Sequence, residues 1–253
     1  MKNKRAQITL FVIIAIIIVA VFVLVFTFRG KIIPQISGKP IKNPEAFLSS
    51  CLEEKIREGI KIISSQGGYV NHSLYLDLDN ERIHYLCFTQ NYYLPCINQE
   101  PMLIKHLSDE LHDYIEDDVE NCFAQLEDGL KKEGYEVDLN YKGFEIILIP
   151  KKVTIQTESS IVLKKTEEST RQENLKIAIT SRFYDLAEVV QEILSQEARF
   201  CNFDIQGFML FYNEFDVDKF KTGNSETIYT IKHRKSQEEF KFALRGCVIP
   251  PGF

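Results

Sequence analysis

The sequence predicts an α+β protein: a single N-terminal transmembrane helix, then a disulfide-stapled extracytoplasmic region of amphipathic helices and antiparallel sheet. Three observations carry this. An uncharged apolar run occupies residues 8–28, all six cysteines follow it, and the hydrophobic period beyond it changes from three-to-four residues to two near Lys131.

The run from Ile8 to Phe28 is 21 residues long, and only Thr9 and Thr27 are polar. At about 1.5 Å per residue it matches a hydrocarbon core of roughly 30 Å. A backbone in lipid must satisfy its own hydrogen bonds, so the run is expected to be a helix. It exceeds the apolar region of a cleaved secretory signal, and Phe26-Thr27-Phe28-Arg29 offers no small-x-small cleavage site. Residues 1–7 form a basic cytoplasmic segment and residues 29–44 a linker. Gly30, Pro34, Gly38, Pro40 and Pro44 in that linker forbid a continuous helix.

Lysines and arginines flank the run on both sides, so they give no strong orientation bias. Cysteine usage gives one. Cys51, Cys87, Cys96, Cys122, Cys201 and Cys247 are even in number and contain no C-x-x-C pair, which suits a disulfide framework in an oxidising compartment. Among 15 possible connectivities, Cys51–Cys122 is preferred because each would sit on the apolar stripe of a helix. Cys87–Cys96 would staple a loop, leaving Cys201–Cys247. Beyond residue 44 the chain holds 23 basic against 36 acidic residues, a net −13. Such a region repels nucleic acid and anionic surfaces, so nucleic acid is excluded as a partner.

Residues 45–130 read as helix, hairpin, helix. Asn43 is the expected N-cap, with Pro44 at the first helical position and Glu45 in the first turn. Leu48, Leu52, Ile56, Ile60 and Ile63 mark the buried face of the first helix, and Gly67-Gly68 stop it. Leu74, Leu76 and Leu78 alternate with polar residues, and "DNER" is the hairpin turn. A second helix is expected from about Pro101 to Leu126, with Ile104, Leu107, Leu111, Ile115, Val119, Cys122 and Leu126 on one face.

Residues 131–253 read as antiparallel sheet plus one helix. "YEVDLNY", "FEIILIP", "KVTIQTE", "SIVLKKT" and "LKIAITS" are expected to be short strands separated by "KG", "ESS" and "EESTRQEN". A helix is expected from Phe183 to Ala198, striped by Leu186, Val189, Val190, Ile193 and Leu194. "GFMLFYN", "TIYTIKH" and "EEFKFALR" complete the strands, with Phe240 and Phe242 facing inward.

No H-E-x-x-H, G-x-S-x-G, Walker or G-x-G-x-x-G pattern occurs, and paired cysteines are not nucleophiles, so neither an enzyme nor a cofactor is expected. Asp109, His112, Asp113 and Glu116 share one helix surface, but no second His joins at i+4. The face reads as solvated rather than metal-binding. Asn71 opens an N-x-S triplet just after a helix stop, a position suited to a glycan.

Lys4-Arg5-Ala6-Gln7, directly before the apolar run, resembles the class III signal peptides of archaeal pilin-like proteins. The resemblance implies that a prepilin-type peptidase cuts between Ala6 and Gln7 and leaves the apolar helix in the mature chain. It implies a carboxy-terminal part facing outward and a helix that serves in assembly. Two positions depart from the pattern: Phe11 stands where pilins carry a glutamate, and Pro34 interrupts the chain soon after the membrane. "CLEEKIREGIKIISSQGGYV" also looks like a helix of uncharacterised membrane-anchored proteins of small-genome archaea, a likeness that carries no function.

The expectation is therefore a non-enzymatic single-pass surface protein, pilin-like at its amino terminus, acting in adhesion, envelope structure or assembly at the cell membrane. Its partners would be membrane lipid, the peptidase if the chain is processed, and other surface proteins or a second copy. A membrane-tethered solute- or partner-binding module is the alternative, with its pocket expected between the helix pair and the sheet.

Overall fold

A computed structural model describes residues 43–249 except 72 and 79, which belong to one compact unit spanning residues 41–253. The apolar run 8–28, the Ala6-Gln7 bond and nearly all of the linker lie outside the described residues. Among those described, no helix is long and apolar enough to cross a membrane.

The fold is mixed α+β. Helix α1 spans Pro44–Ser65, and the Asn43 side chain caps it by accepting from the Glu45 N–H at 3.0 Å. Gly67 and Gly68 end it at φ 77° and 95°, a region that only glycine enters without steric cost. Strands β1 (Tyr75–Leu78) and β2 (Glu81–Phe88) form the hairpin, turning through Asn80 at φ 67°. A two-residue strand β3 (Ile97–Asn98) leads into helix α2, Leu103–Lys132, which runs a turn and a half beyond Leu126. Leu130 extends its buried stripe, and Ile104 is only half-buried.

The five expected strands of the meander are partly merged. Strand β4 (Glu136–Ile149) runs unbroken through "KG", with a bulge between Tyr141 and Gly143 in place of a turn. Strand β5 (Lys152–Lys165) runs through "ESS" because that polar triplet keeps the inward alternation. Thr157 and Ser159 point into the core and hydrogen-bond each other at 2.7 Å, which removes the cost of burying two hydroxyls. The segment expected to link strands contains one, β6 (Glu168–Glu173), and β7 (Lys176–Thr180) follows on the same edge of β5.

Helix α3 spans Phe183–Phe200, and all five of its expected stripe residues are buried. "GFMLFYN" is not a strand. It belongs to a short helix α4, Ile205–Phe211, which Asp204 caps by accepting from the Gly207 N–H at 3.0 Å. The strand of this region is β8 (Phe215–Lys221), followed by β9 (Thr227–His233) and β10 (Glu239–Arg245). These order as β1-β2-β10-β9-β8, antiparallel except for the parallel β2–β10 pair, which departs from the all-antiparallel expectation.

Helices α1 and α3 each touch both sheets, so the residue 45–130 and 131–253 regions share one core. With β3 pairing β2 the sheet has six strands, and a smaller apolar cluster of Ile83, Tyr85, Ile228 and Ala243 covers its outer face beneath Leu74, Leu76 and Leu78.

The six cysteines form Cys51–Cys122, Cys87–Cys96 and Cys201–Cys247, the three pairs preferred from the sequence. The second and third meet at Gly246, where an added Cβ would lie 2.8 Å from the Cys96 backbone nitrogen and 2.9 Å from Cys96 Cβ. Backbone held by two bridges has little room to shift. Gly246→Ala is expected to lose about 2 kcal/mol in urea unfolding. Gly223→Ala, with nothing within 4 Å of the added carbon, should stay within about 0.5 kcal/mol of the parent.

Candidate functional site

A groove of about 690 Å³ lies between α3 and α4. The pattern that buries one face of α3 leaves Asp185, Glu188, Glu192 and Gln196 on the opposite face at spacings of three and four, and these form one wall. Helix α4 supplies the other. Phe208 stacks on Tyr212 with ring centroids 4.7 Å apart and lies 5.4 Å from Phe203, and Phe211 continues the wall. Val189 and Phe215 floor it, and Lys151 and Arg182 close one end.

The carboxylates there are ordered. Asp185 accepts from the Lys151 backbone N–H at 2.9 Å and faces Arg182 at 3.8 Å. Glu188 accepts from the Tyr184 hydroxyl at 3.0 Å, and Glu192 accepts from Gln196 at 2.7 Å. With Asp204 and Glu214, five carboxylates face two cations. Such a groove can bind a group that is both apolar and cationic; no nucleophile with an adjacent base lines it. The pocket expected between the α1–α2 pair and a sheet has a counterpart in a hollow of about 430 Å³ between α2 and β4, lined by Ile104, His112, Phe144 and Leu148.

A second cluster lies where α1 ends and α2 begins. The Tyr69 ring sits between His84 and His106, with centroids at 4.0 and 4.2 Å, and its hydroxyl donates to Glu100. His106 bonds the Gly68 carbonyl at 2.9 Å, and Glu110 accepts from the Val70 N–H at 2.9 Å. These bonds fix the glycine turn against α2.

Burial, followed by the hydrogen bond to Glu100, pushes the Tyr69 hydroxyl pKa well above the ordinary tyrosine value. Burial and then a bonded carboxylate do the same for Tyr85 through Glu226 and for Tyr229 through Glu197. Burial followed by the charges of Glu120 and Glu116 lifts Tyr141 to about 12. In the unfolded chain these groups ionise near the reference value of 10.0. Their stabilisation is therefore fully present below that pH and lost as the pH rises through the folded values. Unfolding midpoints should fall progressively from pH 10 toward 12, with tyrosinate absorbance appearing alongside unfolding. Full tyrosinate absorbance near pH 10 in a still-folded protein would contradict this.

The remaining residues singled out from the sequence are placed as follows. Asn71 is exposed in the loop after α1, and its neighbour His72 lies outside the described residues. His112 stacks on Phe144 at 4.3 Å and bonds Asp113 at 3.1 Å, while Asp109 pairs with Lys105 at 2.5 Å. Among the described residues no three His, Cys, Asp or Glu side chains converge on a metal-sized site. Compared with known proteins, the chain matches no family model, no curated protein and no solved structure.

Proposed function

We propose that this chain is a non-enzymatic, single-pass membrane-anchored surface protein whose carboxy-terminal region lies outside the cell, in adhesion, envelope structure or assembly. The observation that carries the reading is the pairing of all six cysteines downstream of the apolar run, since such bridges persist in oxidising compartments. Its amino terminus is pilin-like, with Ala6 and Gln7 flanking the processed bond, and the exposed Asn71 is open to glycosylation. Intact mass of the membrane-extracted protein, alkylated with and without reductant, tests this. A chain beginning at Gln7 that takes up alkylating agent only after reduction is the expected result. An unprocessed Met1 removes the pilin-like part, and six thiols alkylated without reductant remove the oxidised exterior.

The groove between α3 and α4 favours a second reading, a membrane-tethered module that binds a solute or partner. Tyramine carries a ring and an ammonium group, so it probes that groove directly. Chemical-shift changes confined to Glu192, Phe208 and Tyr212 at millimolar tyramine are expected under this reading; their absence removes it.

A further inference from the structure

Two disulfides gather side chains from three distant segments into one exposed apolar patch. Cys87–Cys96 closes the loop after β2, and that loop pairs with the segment after β10. The Thr89 N–H donates to the Arg245 carbonyl at 2.9 Å, the Cys247 N–H to Leu94 at 2.7 Å, and the Tyr93 N–H to Val248 at 3.0 Å. Cys201–Cys247 then brings the end of α3 to the same place. Tyr92, Tyr93, Leu94 and Ile249 are exposed on or beside these paired loops, and Phe200, also exposed, adjoins the cysteine bridged to them. Tyr93, Phe200 and Ile249 are 59%, 63% and 58% exposed. Tyr93, Cys201 and Cys247 adopt φ of 63°, 56° and 53°, a region costly for side-chain-bearing residues, so the bridged backbone holds these loops in an outward presentation.

We infer that this patch rests on the membrane surface, with its rings at the boundary between headgroups and acyl chains. The inference rests on the anchored reading above. Three features select a bilayer over another occupant. The linker, residues 29–44, is 16 residues and reaches at most about 55 Å, which keeps the domain next to the lipid that holds its anchor. Tyrosine is suited to that boundary because one end of its ring is apolar and the other wet, and phenylalanine is suited to its acyl side. The patch also carries an exposed cation in an acidic region: Arg199 lies 5.1 Å from the Phe200 ring, placed to meet lipid phosphates, while Arg245 binds the Thr89 carbonyl beneath the Tyr92 ring.

The chain contains no tryptophan, so a single introduced one reports its own surroundings. Tyr93→Trp, Phe200→Trp and, as a control on the outer face of β8, Phe220→Trp are each made in the full chain. Each variant is reconstituted into vesicles of zwitterionic phosphatidylcholine, which does not repel the acidic region, with and without brominated acyl chains. Blue-shifted emission quenched by brominated lipid at positions 93 and 200, but not at 220, is the expected result. Protein that floats with vesicles yet shows no quenching at 93 or 200 overturns the inference while leaving the anchor intact. A blue shift that grows with protein density and ignores bromine assigns the patch to a second copy and also overturns it. Protein that fails to float brings down the anchored reading and this inference together.

Discussion

Removing the Cys51–Cys122 bridge should cost more stability than removing either of the others. The bridge closes 71 residues, against 46 for Cys201–Cys247 and 9 for Cys87–Cys96. Chain-entropy arithmetic gives about 4.4, 4.0 and 2.6 kcal/mol respectively. The first figure is a large share of the 5–15 kcal/mol that holds a typical domain together. The bridge also acts where α1 and α2 run antiparallel in close contact. At Gly59 an added Cβ would lie 2.6 Å from the Tyr114 ring and 2.9 Å from Leu111, so the helices approach through a residue without a side chain. Cys51→Ala/Cys122→Ala is expected to lower the urea midpoint most, Cys87→Ala/Cys96→Ala least. The reverse order would show that native contacts, rather than loop closure in the unfolded chain, set the value of each bridge.

Glu197→Ala should be comparably damaging. Glu197 lies on the inward side of α3 with 4% of its side chain exposed, where it accepts from Lys219 at 2.6 Å and from the Tyr229 hydroxyl. Tyr229 is fully buried and stacks on Phe242 at 5.5 Å, and the Lys219 ammonium lies 5.1 Å from its ring. Deleting the carboxylate leaves a largely buried ammonium and a buried hydroxyl without their acceptor, a loss of about 3–5 kcal/mol. Glu197→Leu/Lys219→Met removes both charges and keeps the volume, so it should lose much less than its two single variants summed. A double-mutant cycle by urea unfolding measures the coupling. Strict additivity would mean that the pair contributes nothing to the fold.

The helices were legible because their burial is periodic and their ends carry side-chain signals, Asn43 before α1 and Gly67-Gly68 after it. The long hairpin was harder. Gly143 reads as a turn but makes a bulge, and Ser159 reads as loop although it faces inward and bonds the buried Thr157 hydroxyl. "FDVDKFK" does alternate, with Phe215 and Val217 buried and Asp216 and Asp218 exposed, but the apolar "GFMLFYN" upstream competed for the same strand. That upstream segment forms α4, none of whose residues is buried, so no inward stripe was present to mark it as helix.

Misreading α4 hid the groove, whose aromatic wall it builds. The pairing of cysteines followed from spacing and helix faces. What the pairing gathers did not, because Tyr93, Phe200 and Ile249 are far apart in the chain and meet only through the bridges and the strand-like contacts between loops.

The account stands on the compact region being held outside the cell by the apolar run. Protease treatment of intact cells, followed by detection of the region after residue 43, tests that directly. Digestion in intact cells, with no lysis required, is the predicted result. A region protected until the membrane is broken would contradict the account.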